Sequence, residues 1–106
     1  MSEHILDRLY AVLEERKGAG AAESYVASLY AKGTDKIAGK IAEEMAETVI
    51  EAARGDKAKV ASESADLLFH LMVLWAHMGV TPEDVFSVLE TRFGTGGHAE
   101  KASRTS

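Results

Sequence analysis

Acidic residues lie in two groups in helix-favouring parts of this sequence: Glu43, Glu44 and Glu47, followed by Glu63 and Asp66. The second group interrupts a segment that is otherwise almost wholly apolar. A carboxylate that faces an apolar interior is unfavourable unless it is paired, protonated or bound to a cation. Because hard cations such as Mg²⁺ prefer oxygen ligands and commonly act on phosphorylated substrates, this pattern indicates metal-assisted phosphate chemistry.

The spacing of these acids predicts one shared site. Gly55-Asp56 combines a helix-ending glycine with a residue that caps the next helix, so the two flanking helices should be antiparallel neighbours. Glu44 and Glu47 then lie near the level of Glu63 and Asp66, because each lies about eight to ten residues from the turn. Two such pairs on facing helices would make a cage for cations.

Nearby basic groups admit two interpretations each. Lys36 and Lys40, one turn apart before the acids, are candidates to neutralise substrate phosphates, or they are a solvated basic helix start. Together with Lys59 they would also provide salt bridges, which is the alternative to a cation site. His70 follows Asp66 by four positions and could orient it or touch substrate. The alternative for His70 is a buried histidine with satisfied hydrogen bonds.

Composition narrows the class of protein. The 106 residues predict a single domain over 1–106, with a net charge of −5 that argues against a nucleic-acid partner. There is no cysteine, which excludes disulfides and thiolate metal sites. The longest apolar run, 67–78, is too short to span a membrane, and the N-terminus does not resemble a signal peptide. We expect a cytoplasmic protein with no membrane partner.

Apolar periodicity predicts an all-α fold of about five helices. We expect helices at about 5–16, 21–31, 36–54, 57–77 and 82–92, followed by a polar tail from 94 to 106. Thr34 or Asp35 is the expected N-cap of the third helix, and Thr81 that of the fifth, with Pro82 at its first position. The tail is expected to order only against a partner or ligand.

The fourth helix is apolar on nearly every face from Ala65 onward. Helices of that kind are usually buried on all sides, and four short neighbours in one small chain can scarcely cover this one. We therefore predict a homodimer, most simply two-fold, in which the third and fourth helices of each chain build a four-helix core. The tail could then reach the partner's site.

Several segments of the sequence resemble the phosphoribosyl-ATP pyrophosphohydrolases, a family within the all-α, MazG-like nucleoside triphosphate pyrophosphatases. The Glu-Glu-x-x-Glu and Glu-x-x-Asp motifs indicate the superfamily. The segments that narrow the resemblance are 24–29 (SYVASL), 32–37 (KGTDKI), 40–47 (KIAEEMAE), 55–56 (GD), 63–71 (ESADLLFHL) and 100–104 (EKASR). The family often has glycine before the paired glutamates, where this chain has Ala42; alanine favours the helix by up to about 1 kcal/mol.

The resemblance implies Mg²⁺-dependent hydrolysis of a nucleotide, phosphoribosyl-ATP, to phosphoribosyl-AMP and pyrophosphate, the second step of histidine biosynthesis, by a free-standing enzyme. Its four proposed metal ligands are Glu44, Glu47, Glu63 and Asp66. Glu43 is the candidate to activate water. Lys36, Lys40 and Arg104 are candidates to bind phosphate, with His70 behind the ligands.

Two alternatives remain open. One is a housecleaning pyrophosphatase that acts on aberrant nucleoside triphosphates. A preference for phosphoribosyl-ATP over simple triphosphates would exclude this alternative. The other is a helical dimerisation module without catalysis. The absence of Mg²⁺-dependent pyrophosphate release would support this second alternative.

Overall fold

The computed structural model describes residues 4–94, which form five α-helices and no strand. The helices are α1 (Ile5–Glu15), α2 (Tyr25–Lys32), α3 (Thr34–Arg54), α4 (Lys57–Met78) and α5 (Pro82–Gly94), with a 3₁₀ turn at Arg16–Gly18. The prediction of an all-α fold with five helices is confirmed. Within 4–94, no helix is long and apolar enough to cross a membrane. The predictions for Arg104 and the tail beyond 94 lie outside the described residues.

Helix α2 begins later than its sequence pattern predicts, at Tyr25 rather than near Ala21. Residues 21–23 form a turn, in which the Glu23 amide donates to the Gly20 carbonyl at 2.9 Å. Ser24 then adopts an extended conformation, and its hydroxyl accepts a hydrogen bond from the Ala27 amide at 3.2 Å. The serine cap sets the start of the helix because it satisfies one of the amides that a first turn leaves unpaired.

The expected N-cap of α3, at Thr34 or Asp35, is wrong. Gly33 occupies the cap position, with φ 91° and ψ −175°, a conformation essentially restricted to glycine. Its amide donates to the Leu29 carbonyl at 3.0 Å and its carbonyl accepts from the Ile37 amide at 3.2 Å. One glycine therefore closes α2 and opens α3, which places Thr34 and Asp35 inside the first turn.

The connection from α3 to α4 matches its prediction. Gly55 is left-handed, with φ 75°, and ends α3. Asp56 caps α4, where its carboxylate accepts from the Lys59 amide at 3.0 Å. Extensive contact follows between α3 and α4. These two long helices are therefore the antiparallel pair on which the acidic residues lie.

The start of α5 is also as predicted. The Thr81 hydroxyl accepts from the Asp84 amide at 3.1 Å, and the Asp84 carboxylate accepts from the Thr81 amide at 2.9 Å. This reciprocal pair is a capping box with aspartate in the acidic position. Pro82 follows as the first helical residue.

The buried core lies at one end of the α3–α4 pair. It is built from side chains of four helices: Leu13 of α1, Val26 and Leu29 of α2, Ile37 of α3, and Met72, Val73 and Ala76 of α4. These residues occupy the start of α3 and the second half of α4. The half of the helix pair nearer the Gly55 turn extends beyond α1 and α2, and contributes no residue to this core.

Apolar side chains are exposed on the outer half of the helix pair. Met45 is 54% exposed, Val49 62% and Leu68 37%. As the sequence predicts, one chain does not cover every side of α4, because Leu68 and Met78 both face solvent. Contacts within one chain bury the apolar arc of α3 at Ile37 and leave it open from Met45 onward.

We predict that Ile37→Ala lowers the free energy of unfolding by about 2–5 kcal/mol, because Ile37 is fully buried and its truncation leaves a cavity. Ile5→Ala is the matched control, since Ile5 is 59% exposed on α1 and its truncation should cost below about 0.5 kcal/mol. Urea denaturation at one protein concentration measures both values. Equal losses in the two variants would contradict this placement of the core.

Candidate metal centre

Three carboxylates converge between α3 and α4. Single oxygens of Glu44, Glu63 and Asp66 lie within 4.8 Å of one another. Glu44 and Glu63 are half-buried, whereas Asp66 is exposed. Three oxygen donors at this spacing can hold one hard divalent cation and leave its remaining positions for water or substrate.

Glu47 extends the cluster on the same side as Glu63. Burial, together with a hydrogen bond and charge repulsion from Glu47 and then the same effects from Glu44, raises the pKa of Glu63 from 4.5 to about 7. Glu63 therefore keeps its proton up to near-neutral pH in the absence of a cation. The structure brings together three of the four predicted ligands, Glu44, Glu63 and Asp66, and places Glu47 beside Glu63.

Two oxygens of the cluster are buried without a hydrogen-bond partner among residues 4–94: Oε2 of Glu44 and Oε1 of Glu63. A buried carboxylate oxygen without a partner is costly. A bound cation would satisfy both oxygens and remove the repulsion that raises the pKa of Glu63. The donor set and its unsatisfied atoms therefore fit Mg²⁺.

Lysines do not neutralise this cluster within the described part of the chain. Lys40 pairs with Glu43 at 3.4 Å, and neither Lys36 nor Lys59 lies within salt-bridge distance of a described carboxylate. Exposed pairs such as Lys40–Glu43 contribute little to stability. The salt-bridge alternative thus applies to Glu43 and not to the converging acids.

Glu43 itself lies apart from the metal cluster. Its side chain is 61% exposed and its Oε1 accepts from the Lys40 ammonium.

Glu51, a further acid on α3, is not among the predicted site residues, although its side chain is more buried than that of Glu43. Oε2 of Glu51 pairs with Arg54 at 3.4 Å, while Oε1 is buried without a described partner. The four-residue spacing between Glu47 and Glu51 is the sequence pattern that could have identified Glu51 as a site residue.

His70 is buried, and both ring nitrogens are hydrogen-bonded. Nδ1 lies 2.9 Å from the backbone carbonyl of Asp66, and Nε2 lies 2.8 Å from the Tyr25 hydroxyl. His70 therefore contacts the backbone of Asp66 and not its carboxylate. Tyr25, which is not among the predicted site residues, is 52% exposed, and its hydroxyl joins α2 to the site helix.

In the metal-free protein, we predict that the free energy of unfolding falls as the pH rises from about 4.5 to about 7. Glu63 binds its proton more tightly in the folded state than at the usual pKa of 4.5, so folding is favoured at low pH and loses that contribution as the group ionises. Glu63→Gln should remove this dependence and be the more stable protein above pH 7. Urea titrations across this range, with exposed Glu90→Gln as control, measure the difference. Parallel profiles for wild type and Glu63→Gln would contradict it.

The sequence of this chain matches one family of known proteins. The family model for phosphoribosyl-ATP pyrophosphohydrolase matches residues 6–93. A relative in Azospirillum brasilense, named phosphoribosyl-ATP pyrophosphatase, is 58% identical over 106 residues, which cover all of this chain and 96% of that protein. Proteins of the same name in Cereibacter sphaeroides and Geobacter sulfurreducens are 54% and 49% identical, covering 94% and 96% of this chain and 97% and 94% of their own lengths. The chain therefore belongs to the phosphoribosyl-ATP pyrophosphohydrolase family.

Proposed function

We propose that this protein hydrolyses phosphoribosyl-ATP to phosphoribosyl-AMP and pyrophosphate with Mg²⁺, as a cytoplasmic enzyme of histidine biosynthesis. The relatives named phosphoribosyl-ATP pyrophosphatase support the substrate. The observation that carries the chemistry is the convergence of Glu44, Glu63 and Asp66, with two buried oxygens left unsatisfied.

Glu44, Glu47, Glu63 and Asp66 hold the metal in this proposal. Bound there, Mg²⁺ supplies charge neutralisation for the triphosphate and for the pyrophosphate that leaves. The proton that Glu63 holds at near-neutral pH must be released when a cation binds, so metal binding should strengthen as the pH rises toward 7.

Glu43 is the proposed general base. It lies next to Glu44 on α3 but projects to solvent, where it can accept a proton from water that approaches the triphosphate. Lys40, paired with Glu43 in the free protein, and Lys36, one turn earlier, would bind phosphate oxygens. Arg104, in the segment beyond the described residues, is proposed to bind phosphate as well.

A housecleaning pyrophosphatase is the nearest alternative, because the same acids would serve any nucleoside triphosphate. A substrate panel separates the two functions: phosphoribosyl-ATP should be strongly preferred over ATP, dATP and dUTP. A helical module without catalysis would show no Mg²⁺-dependent release of pyrophosphate from any of them.

We predict that Glu44→Gln and Asp66→Asn each lower pyrophosphate release by roughly 100-fold or more, because even residues behind metal ligands typically change activity by about 10- to 100-fold. Both variants should remain folded, since each removes charge from a repulsive cluster. Exposed Glu90→Gln is the control and should keep wild-type turnover. Released pyrophosphate is measured with Mg²⁺ and after chelation. Near-normal turnover in either ligand variant at modest Mg²⁺ would refute the assignment.

We also propose that the exposed face of the helix pair forms a homodimer. Two apolar stripes lie there at helical spacing, Ala42, Met45 and Val49 on α3 and Ala61, Ala65 and Leu68 on α4, all exposed in one chain. Each residue of the α3 stripe has a counterpart in the α4 stripe at the same number of positions from Gly55. A contiguous apolar surface of this kind favours association of two chains.

Light scattering should accordingly give twice the chain mass at micromolar concentration, and Val49→Asp should convert the protein to a monomer or unfold it. The physical reason is that Val49→Asp would place an unpaired carboxylate in the buried dimer interface, which is unfavourable. Val88→Asp is the matched control, because Val88 is 50% exposed and belongs to α5, not to either helix of the proposed interface. An active, folded wild-type monomer at that concentration would contradict the dimer.

A further inference from the structure

A second set of polar residues lies one helical turn beyond the acid cluster, farther from the Gly55 turn. Lys40 is fifteen positions before Gly55 and His70 is fifteen positions after it, whereas Glu47 and Glu63 are each eight positions away. Lys40 and His70 therefore face the same level of the α3–α4 pair, one helical turn past Glu44 and Asp66. One turn corresponds to about 5.4 Å along the axis. Tyr25 reaches this level from α2.

The hydrogen-bond chain through His70 determines what Tyr25 can offer a ligand. The Asp66 carbonyl only accepts, so Nδ1 of His70 must carry the proton of that bond. In the neutral imidazole Nε2 then only accepts, and the Tyr25 hydroxyl donates its proton to it at 2.8 Å. The phenolic oxygen of Tyr25 is left with acceptor capacity alone.

Lys40 supplies the complementary charge beside it. The Tyr25 phenol is the largest cause that raises the pKa of Lys40, and Glu43 is the next. The Lys40 side chain is 27% exposed and the Tyr25 residue 52% exposed, so both are accessible from solvent. Lys40 and Tyr25 therefore present an ammonium donor and a phenolic acceptor at the same level of the helix pair, at the edge of the carboxylate cluster.

We infer that Tyr25 is a specificity-determining residue that accepts a hydrogen bond from a ribose hydroxyl, while Lys40 binds the phosphate next to that ribose. The ribose hydroxyls and the adenine amino group of a nucleotide can donate to an acceptor-only phenol, whereas an ionised phosphate cannot, and of the two donors the ribose is the nearer to the phosphates. The ribose of a nucleoside triphosphate lies next to the innermost phosphate, which suits a position one turn from the metal cluster. This inference rests on the proposed function, because it places the triphosphate at the acids.

The competing explanation is that Tyr25 only ties α2 to α4. Tyr30 provides a matched control for that role. Its hydroxyl donates to the Leu13 carbonyl at 2.8 Å, and its ring stacks on His77 with centroids 5.9 Å apart. Tyr25→Phe and Tyr30→Phe each remove one hydroxyl that joins α2 to another helix, yet only Tyr25 lies beside Lys40.

The test measures the affinity of α,β-methylene-ATP and of its 2′-deoxy and 3′-deoxy counterparts by calorimetry in the presence of Mg²⁺. Wild type should bind the ribonucleotide about tenfold more tightly than at least one deoxy compound, the effect expected for one lost hydrogen bond. Tyr25→Phe should lose that preference, and Tyr30→Phe should keep it. Lys40→Gln should weaken all three ligands alike and retain the preference.

Turnover of phosphoribosyl-ATP is measured in parallel. Tyr25→Phe should raise KM about tenfold with kcat nearly unchanged, whereas Tyr30→Phe should lower the melting temperature without changing KM. No ribose preference in wild type, or a preference that survives in Tyr25→Phe, would overturn the inference even if pyrophosphate is released normally. Loss of the preference in Tyr30→Phe as well would assign Tyr25 a structural role. A ribose preference in a wild-type protein that releases no pyrophosphate would overturn the proposed function instead.

Discussion

The register of α3 against α4, set by the left-handed backbone of Gly55 and the cap of Asp56, is the constraint on which the rest of the structure depends. Residues at equal distance from this turn meet across the helix pair. That rule brings Glu47 to Glu63, Glu44 to Asp66 and Lys40 to the level of His70. A shift of one residue in either helix would rotate its side chains by about 100°, because an α-helix has 3.6 residues per turn, and would disperse the acids.

The core and the site occupy different halves of the same two helices. Packing of α1 and α2 buries the beginning of α3 and the second half of α4, so the free energy of folding is gained mainly at that end. The acids lie beyond this core, where a repulsive cluster that raises the pKa of Glu63 disturbs no apolar packing. In the proposed function, the cost of this cluster would favour the binding of a cation, because a bound cation would remove both the repulsion and the unsatisfied oxygens.

Helix α2 connects the two halves. Its inner residues, Val26 and Leu29, pack in the core, while Tyr25 at its first position bonds His70 above the acids. The glycine that joins α2 directly to α3 makes this contact possible, because a longer connection would not hold Tyr25 at a defined level. A short helix with few polar residues therefore orients the polar environment next to the metal centre.

Local patterns in the sequence were sufficient for the helical class, the Gly55–Asp56 turn, the Thr81 cap and the approach of the acids on α3 to those on α4, because caps, periodicity and i,i+3 spacing act within one or two turns. They were insufficient for the start of α2 and the cap of α3, where Ser24 and Gly33 override neighbouring residues of similar propensity. The site shows the same division. The link from Tyr25 to His70, the separation of Glu43 from the other acids and the buried oxygen of Glu51 depend on contacts between helices. Only the tertiary structure decided them, because the direction of a side chain across a helix interface is set by the packing of both partners and not by the spacing of either.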